Sequence, residues 1–152
     1  MHPNEKLITK FYESFKIQNS EGMNSCYAEG STFSDPVFQN LTHGQTHAMW
    51  TMLCKRAKGF ELTFSNVKAD DKTGSAHWEA KYLFSKTGRK VHNVIEAKFE
   101  FKDGKISKHE DSFDLWKWSG MALGLPGKLL GWTPFIQNKI RAEAMKGLGT
   151  GH

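Results

Sequence analysis

The chain has two cysteines, four prolines and no apolar run near the roughly 18 residues that a membrane span requires. Two thiols, Cys26 and Cys54, cannot form a disulfide framework, and they are not at metal-ligand spacing. They are expected to be buried and free in a reducing compartment. The first ten residues, MHPNEKLITK, lack the basic-then-apolar layout of a signal peptide, so the expected placement is cytoplasmic. Gly-x-Gly-x-x-Gly, a phosphate loop and the signature of a Ser or Cys nucleophile are also missing, and no cofactor is expected. Among the histidines, His43 and His47 stand four apart without an acidic third ligand at helical spacing, and no metal is expected either. The net charge of +5 is spread along the chain, with dense runs only at Lys55–Lys58 and Arg89–Lys90. A nucleic-acid binder concentrates its cations on one face, so nucleic acid is not expected as a partner.

What is present is a chain of 152 residues, 38% hydrophobic and 24% charged, with 11 Phe and 5 Trp. It is long enough for one domain with a substantial core, and it shows no repeat, linker or low-complexity tract. Leu7, Ile8, Phe11, Tyr12 and Phe15 recur at helical spacing after Asn4, which can cap them. Ser20 can cap a shorter helix carrying Met23, Cys26 and Tyr27 and ended by Gly30. A short strand, Thr32 to Val37, follows, and then a helix from Gly44 to Arg56. Beyond Gly59 the period changes to two. Phe60, Leu62 and Phe64 alternate, as do Ala76 to Phe84 and Val91 to Phe101, with turn residues between the runs. A last strand is expected from Ile106 to Leu115, and a last helix from Thr133-Pro134 to about Lys146.

Candidate chemistry sits on three of these strands. Asp35 shares a strand face with Phe33 and Val37; an inward carboxyl there would have a raised pKa and could shuttle protons near neutral pH. Asp-Pro is also ordinary turn chemistry, so Asp35 could instead cap a turn. His109 and Asp111 lie two apart on the closing strand and can orient one another as a base and its partner. A purely structural pair, or an inverted face with Asp114 inward, is the alternative, because Ile106 falls on the opposite face unless a bulge intervenes. Asn93 on an apolar strand needs a partner, for which a ligand carbonyl is one choice. Tyr12, Phe33, Trp50, Trp78, Tyr82 and Phe113 either line the same cavity or form plain core. The segment from Leu115 to Trp132 is rich in Trp, Leu and Gly. It reads as a cover over the pocket mouth or against a second subunit. Its only cations are Lys117 and Lys128, so a membrane surface is not expected as its partner.

The order helix, helix, short strand, helix, long antiparallel strands resembles the nuclear transport factor 2-like superfamily. Phe33-Ser34-Asp35-Pro36-Val37 is similar to the family's strand ending in Asp-Pro. Phe99 to Ile106 resembles its aromatic strand and hairpin, and Lys108-His109-Glu110-Asp111-Ser112-Phe113-Asp114 the SnoaL-like closing strand. The resemblance covers residues 5 to 115 within a single domain, 1–152, leaving a C-terminal extension from 116. It implies an α+β fold: a cone-shaped, highly curved antiparallel sheet, packed by three N-terminal helices, enclosing a pocket and followed by an extra C-terminal helix. Compared with the ketosteroid isomerases, Asp35 falls on the general base and Tyr12 on the oxyanion tyrosine. The second acid of those enzymes falls on Ala97, and Glu96 beside it points to the other face. The SnoaL-like cyclases place an acid on the closing strand, which matches Asp111. The resemblance also implies a homodimer through the sheet face. Three functions stay open: acid–base catalysis on a small apolar carbonyl-bearing molecule, of isomerase, cyclase or epoxide-hydrolase type; binding of such a molecule without turnover; and a protein-interaction module.

Overall fold

The computed structural model describes residues 1–150; the last two residues of the expected C-terminal extension lie outside the described residues. The elements run α1 (Pro3–Lys16), α2 (Ser20–Asn24), β1 (Tyr27–Ser34), α3 (His43–Arg56), β2 (Lys58–Ala69), β3 (Thr73–Leu83), β4 (Lys90–Lys102), β5 (Lys105–Ser112), α4 (Leu115–Leu123), α5 (Leu125–Leu130) and α6 (Pro134–Thr150). The five strands form one curved, unclosed sheet in the order β1-β5-β4-β3-β2, antiparallel except for the β1–β5 pair. The meander follows from its turns. Asp103 and Gly104, both with positive φ, make a two-residue hairpin between β4 and β5, the turn that matches strand twist.

Helix α1 lays Ile8, Phe11, Tyr12 and Phe15 on the concave face of the sheet, all buried. Its cap is His2 rather than Asn4: His2 Nδ1 accepts from the Asn4 amide, and Glu5 returns to the His2 amide in a capping box. That frees the Asn4 side chain to donate to the Asp70 carbonyl, which ties α1 to the β2–β3 turn. Helix α2 is likewise capped one residue earlier than expected, by Asn19, and it stops at Asn24. Tyr27 is therefore not helical but opens β1, and Gly30 sits inside that strand at φ 75°. The alternation read from the sequence holds in β4, where Val91, Asn93, Ile95, Ala97 and Phe99 are all buried.

The end of the sheet differs from expectation. β5 stops at Ser112 and Leu115 begins α4, because Asp114 caps that helix by accepting from the Lys117 amide at 3.0 Å. Three helices rather than one follow the sheet. Trp118 of α4 seats its ring 5.3 Å from Phe84, and Thr87 and Arg89 of the β3–β4 loop donate to the Ala122 and Met121 carbonyls at the helix end. α6 is fastened to the loop after β1 by Arg141, whose Nε donates to the Pro36 carbonyl at 2.9 Å. No helix among the described residues is long and apolar enough to cross a membrane.

Candidate functional site

The site starts from one extra residue. From Ser112 down to Lys108, β5 pairs with β4 in a single register, with Asp111 opposite Ala97 and His109 opposite Phe99. Below Lys108 the register shifts by one, so that Ile106 faces Phe101. Ser107 is the surplus residue of a β-bulge. The bulge lets Ile106, His109 and Asp111 all point inward, which simple alternation forbids. Both members of the pair are buried, His109 completely.

Their hydrogen bonds form one chain across the interior. Trp50 Nε1 donates to the Tyr27 hydroxyl at 2.9 Å, and that hydroxyl lies 2.8 Å from His109 Nδ1. His109 Nε2 lies 2.8 Å from Asp111 Oδ1, which also accepts a longer bond from Trp78 Nε1 at 3.5 Å. With its oxygen already accepting from Trp50, the Tyr27 hydroxyl is placed to donate to His109 Nδ1, which leaves Nε2 to donate to Asp111. Aromatic rings wall the imidazole in, with Phe99, Phe33 and Phe11 centred 4.4, 4.9 and 5.5 Å away. Tyr27 is the member that the sequence did not single out. It reads there as one more buried residue of a helix, and only its place at the head of β1, level with Ile106, reveals it.

Asp35 lies just beyond the end of β1. Its Oδ1 accepts from the Val37 and Phe38 amides at 2.7 and 2.6 Å, which is a turn cap. Burial nevertheless pushes its pKa up to about 7, opposed by those two amides and reinforced by the charge of Asp111. The side chain is only half-buried by accessibility. Tyr82 stands nearby: burial raises its pKa and the charge of Asp35 adds to it, while its hydroxyl accepts from Trp118 Nε1 at 2.8 Å.

Tyr12 is fully buried, and its hydroxyl has no hydrogen-bond partner among the described residues. Its pKa is driven well above the usual tyrosine value by burial first and by Asp111 second. The Tyr12 ring stacks on Phe64 at 5.3 Å and lies 5.8 Å from Trp78, so Tyr12 and Trp78, expected to line a cavity, are packed in the core. Asn93 is buried on β4 without a side-chain hydrogen bond among the described residues, and Phe113 is half-buried just past β5. Asp114, the alternative inward acid, is exposed at the start of α4. Two open depressions, of about 610 Å³ beside Lys98 and Glu110 and about 440 Å³ beside Asn24 and His47, include none of the candidate acids.

On the outer face, His77 bonds to Glu79 and Glu96, and His92 to Glu79, in a cross-strand network. Among the described residues no group of three His, Cys, Asp or Glu is placed to hold a metal.

A curved sheet wrapped on α1, with polar groups of β1 and β5 meeting inside, defines a nuclear transport factor 2-like protein. The chain belongs to the SnoaL-like domain family, whose pattern matches residues 8–109. No curated protein sequence matches it. Solved structures share the fold. An LEH-like epoxide hydrolase of M. tuberculosis superposes with a TM-score of 0.66 at 16% identity, over 84% of this chain and 96% of its own. A protein of ketosteroid isomerase-like fold from Catenulispora acidiphila, in complex with trimethylamine, gives 0.68 at 13%, over 84% and 97%. A protein assigned to the SnoaL-like polyketide cyclases, from Jannaschia sp., gives 0.70 at 12%, over 82% and 93%.

Proposed function

We propose that the chain binds a small apolar carbonyl-bearing molecule between α1 and the sheet and performs acid–base chemistry on it, of the isomerase or cyclase kind. The observation that carries this reading is the buried His109–Asp111 pair, bonded at 2.8 Å on the inner face of β5, with the unpartnered Tyr12 hydroxyl buried on α1 and the Asp35 carboxyl at the end of β1. With a pKa of about 7, Asp35 both takes and returns a proton near neutral pH. The Tyr12 hydroxyl, unpaired at a cost of about 1–3 kcal/mol, gains its missing bond by donating to a substrate oxygen. Asp111 and His109 hold the opposite wall, with Tyr27 fixing the tautomer of the imidazole. Asn93 is a second donor to a carbonyl, and Phe33, Trp50, Trp78, Tyr82 and Phe113 supply apolar contact. No cofactor enters the scheme. A cytoplasmic location suits the buried free thiols of Cys26 and Cys54, and a homodimer would use the outer sheet face with its His–Glu pairs.

The packing of Tyr12 on Phe64 and Trp78 favours a second reading, a binding protein without turnover, in which the ligand must displace these rings. A panel of apolar enones, ketones and epoxides incubated with the chain, followed by product analysis, separates the two. Catalysis predicts that Asp35→Asn lowers turnover roughly a hundredfold or more and that Asp111→Asn lowers it as well. Turnover intact in both variants refutes the assignment, and retention of a compound with no product supports the binding protein.

A further inference from the structure

We infer that the corner formed by α4, α5 and the start of α6 docks on an anionic lipid bilayer. This goes beyond the proposed chemistry and does not depend on it. Six large apolar side chains are exposed there, Trp116, Leu125, Leu129, Leu130, Trp132 and Phe135, ranging from 49% exposed for Leu130 to 76% for Phe135. The two indoles lie against α5. Leu125 and Leu129 share a face of α5 at i, i+4; Trp116 Nε1 donates to the Lys128 carbonyl at 2.9 Å and Trp132 Nε1 to the Leu129 carbonyl at 3.1 Å. With about 200 Å² for each large side chain, somewhat over half of it exposed, the patch is on the order of 700 Å². The largest patch on an ordinary soluble monomer is about 300–600 Å².

The polar groups at this corner are already satisfied from within. The end of a helix leaves its last carbonyls without helical partners, and on a wet surface water supplies them. Here the Gly127 carbonyl takes the Gly131 amide, Lys128 and Leu129 take the two indoles, Leu130 takes the Thr133 hydroxyl, and Gly131 takes the Gln137 amide. Both exposed indoles thus spend their N–H groups on the protein and present hydrocarbon outward. A surface finished in this way enters an apolar phase without stranding a donor or an acceptor.

Charge decides the occupant. From Leu115 to Ala142 the sequence contains no Asp or Glu and four cations, Lys117, Lys128, Lys139 and Arg141. Folding brings up another, Arg89, whose guanidinium donates to Met121 and lies beside Gly124. The stretch from Leu115 to Trp132 has only Lys117 and Lys128; the folded corner, with five cations against the exposed Asp114 at the start of α4, has both the apolar face and the basic rim that an interfacial element needs. A second copy fits less well. Two such patches would press cation on cation.

The test is flotation of the full chain with vesicles of phosphatidylcholine alone and of phosphatidylcholine with phosphatidylglycerol, at low and high salt. The chain is expected to float with the anionic vesicles and to be released in part by salt. The Leu125→Ser/Leu129→Ser variant should lose roughly tenfold or more of this affinity, and Lys117→Glu/Lys128→Glu a comparable amount on anionic vesicles only. Phe135→Ser provides an apolar loss at a separate element should the serine pair not fold. Failure to float at low salt overturns the inference, as does flotation unchanged by both kinds of variant. A concentration-dependent dimer abolished by the serine pair, without flotation, overturns it in favour of a second copy.

Discussion

Replacing Asp35 by Asn should make the protein more stable at neutral pH and leave it unchanged in acid. The carboxyl titrates at about 7 in the folded chain against 3.8 in an ordinary setting. The folded state therefore holds the proton more tightly than the unfolded state. Wild-type stability is at its full value below 3.8, falls as the pH climbs between the two values, and levels off above about 7. Each pH unit of that interval is about 1.4 kcal/mol, giving at most about 4 kcal/mol; the half-exposed side chain retains some solvation, and about 2 kcal/mol is the working figure. Asn keeps the side-chain oxygen that accepts from Val37 and Phe38 and carries no charge. Thermal unfolding of both proteins, followed by circular dichroism from pH 3 to 8, reads the difference. The two should coincide at the acid end and diverge to roughly 4–8 °C in favour of Asn at pH 8, from about 2–4 °C per kcal/mol for a domain of this size. A difference that does not vary with pH, or an Asn variant that is the weaker at pH 8, refutes the picture of a desolvated carboxyl. If the difference is found, the fold carries a destabilising acid at a position where an amide would serve structure better, which is the mark of a functional residue.

Two further perturbations test the frame around this acid. Tyr27→Phe leaves the Trp50 indole without its acceptor and His109 Nδ1 without its donor, and chemical denaturation should show a loss of about 2–4 kcal/mol; a loss under about 0.5 kcal/mol would mean that the interior chain is not continuous. Gly127→Ala places a methyl 2.0 Å from the Ser119 carbonyl where α5 crosses α4, so the backbones must part. Unfolding measurements should show about 3 kcal/mol of destabilisation with altered tryptophan fluorescence, and a neutral result would refute the close crossing.

The parts of the fold legible in the sequence are those where one signal acts alone. β3 and β4 are central strands, so the period of two passes undisturbed from Ala76 to Tyr82 and from Val91 to Phe99. β1 is an edge strand paired in parallel, with a register break between Tyr27 and Thr32 and Gly30 in the left-handed region; its first residues, Ala28-Glu29-Gly30-Ser31, carry no apolar alternation. Tyr27 was hidden for that reason. Leu115 read as a strand residue because it continues the spacing of Phe113, yet the cap at Asp114 overrides that spacing locally. His109 and Asp111 share an inward face as their spacing implies. Asp35 could not be resolved from sequence between a pocket acid and a turn cap, because one carboxyl oxygen performs the second role without removing the group from the interior. The docking of the tail on the rest of the chain rests on single long-range bonds, such as Trp118 to Tyr82 and Arg141 to Pro36, which no local pattern encodes.

The surplus residue at Ser107 means that the interior chemistry of β5 is placed by counting rather than by side-chain identity. Below it the strand obeys one parity, above it the other. A lineage that lost or gained a single codon there would turn His109 and Asp111 to the solvent and bring Lys108 and Glu110 inside, with every one of those residues unchanged. Length at this point is thus as much a part of the site as the residues themselves. Relatives that keep the imidazole and the carboxylate but not the same spacing back to the Asp103-Gly104 turn would share the motif and not the geometry.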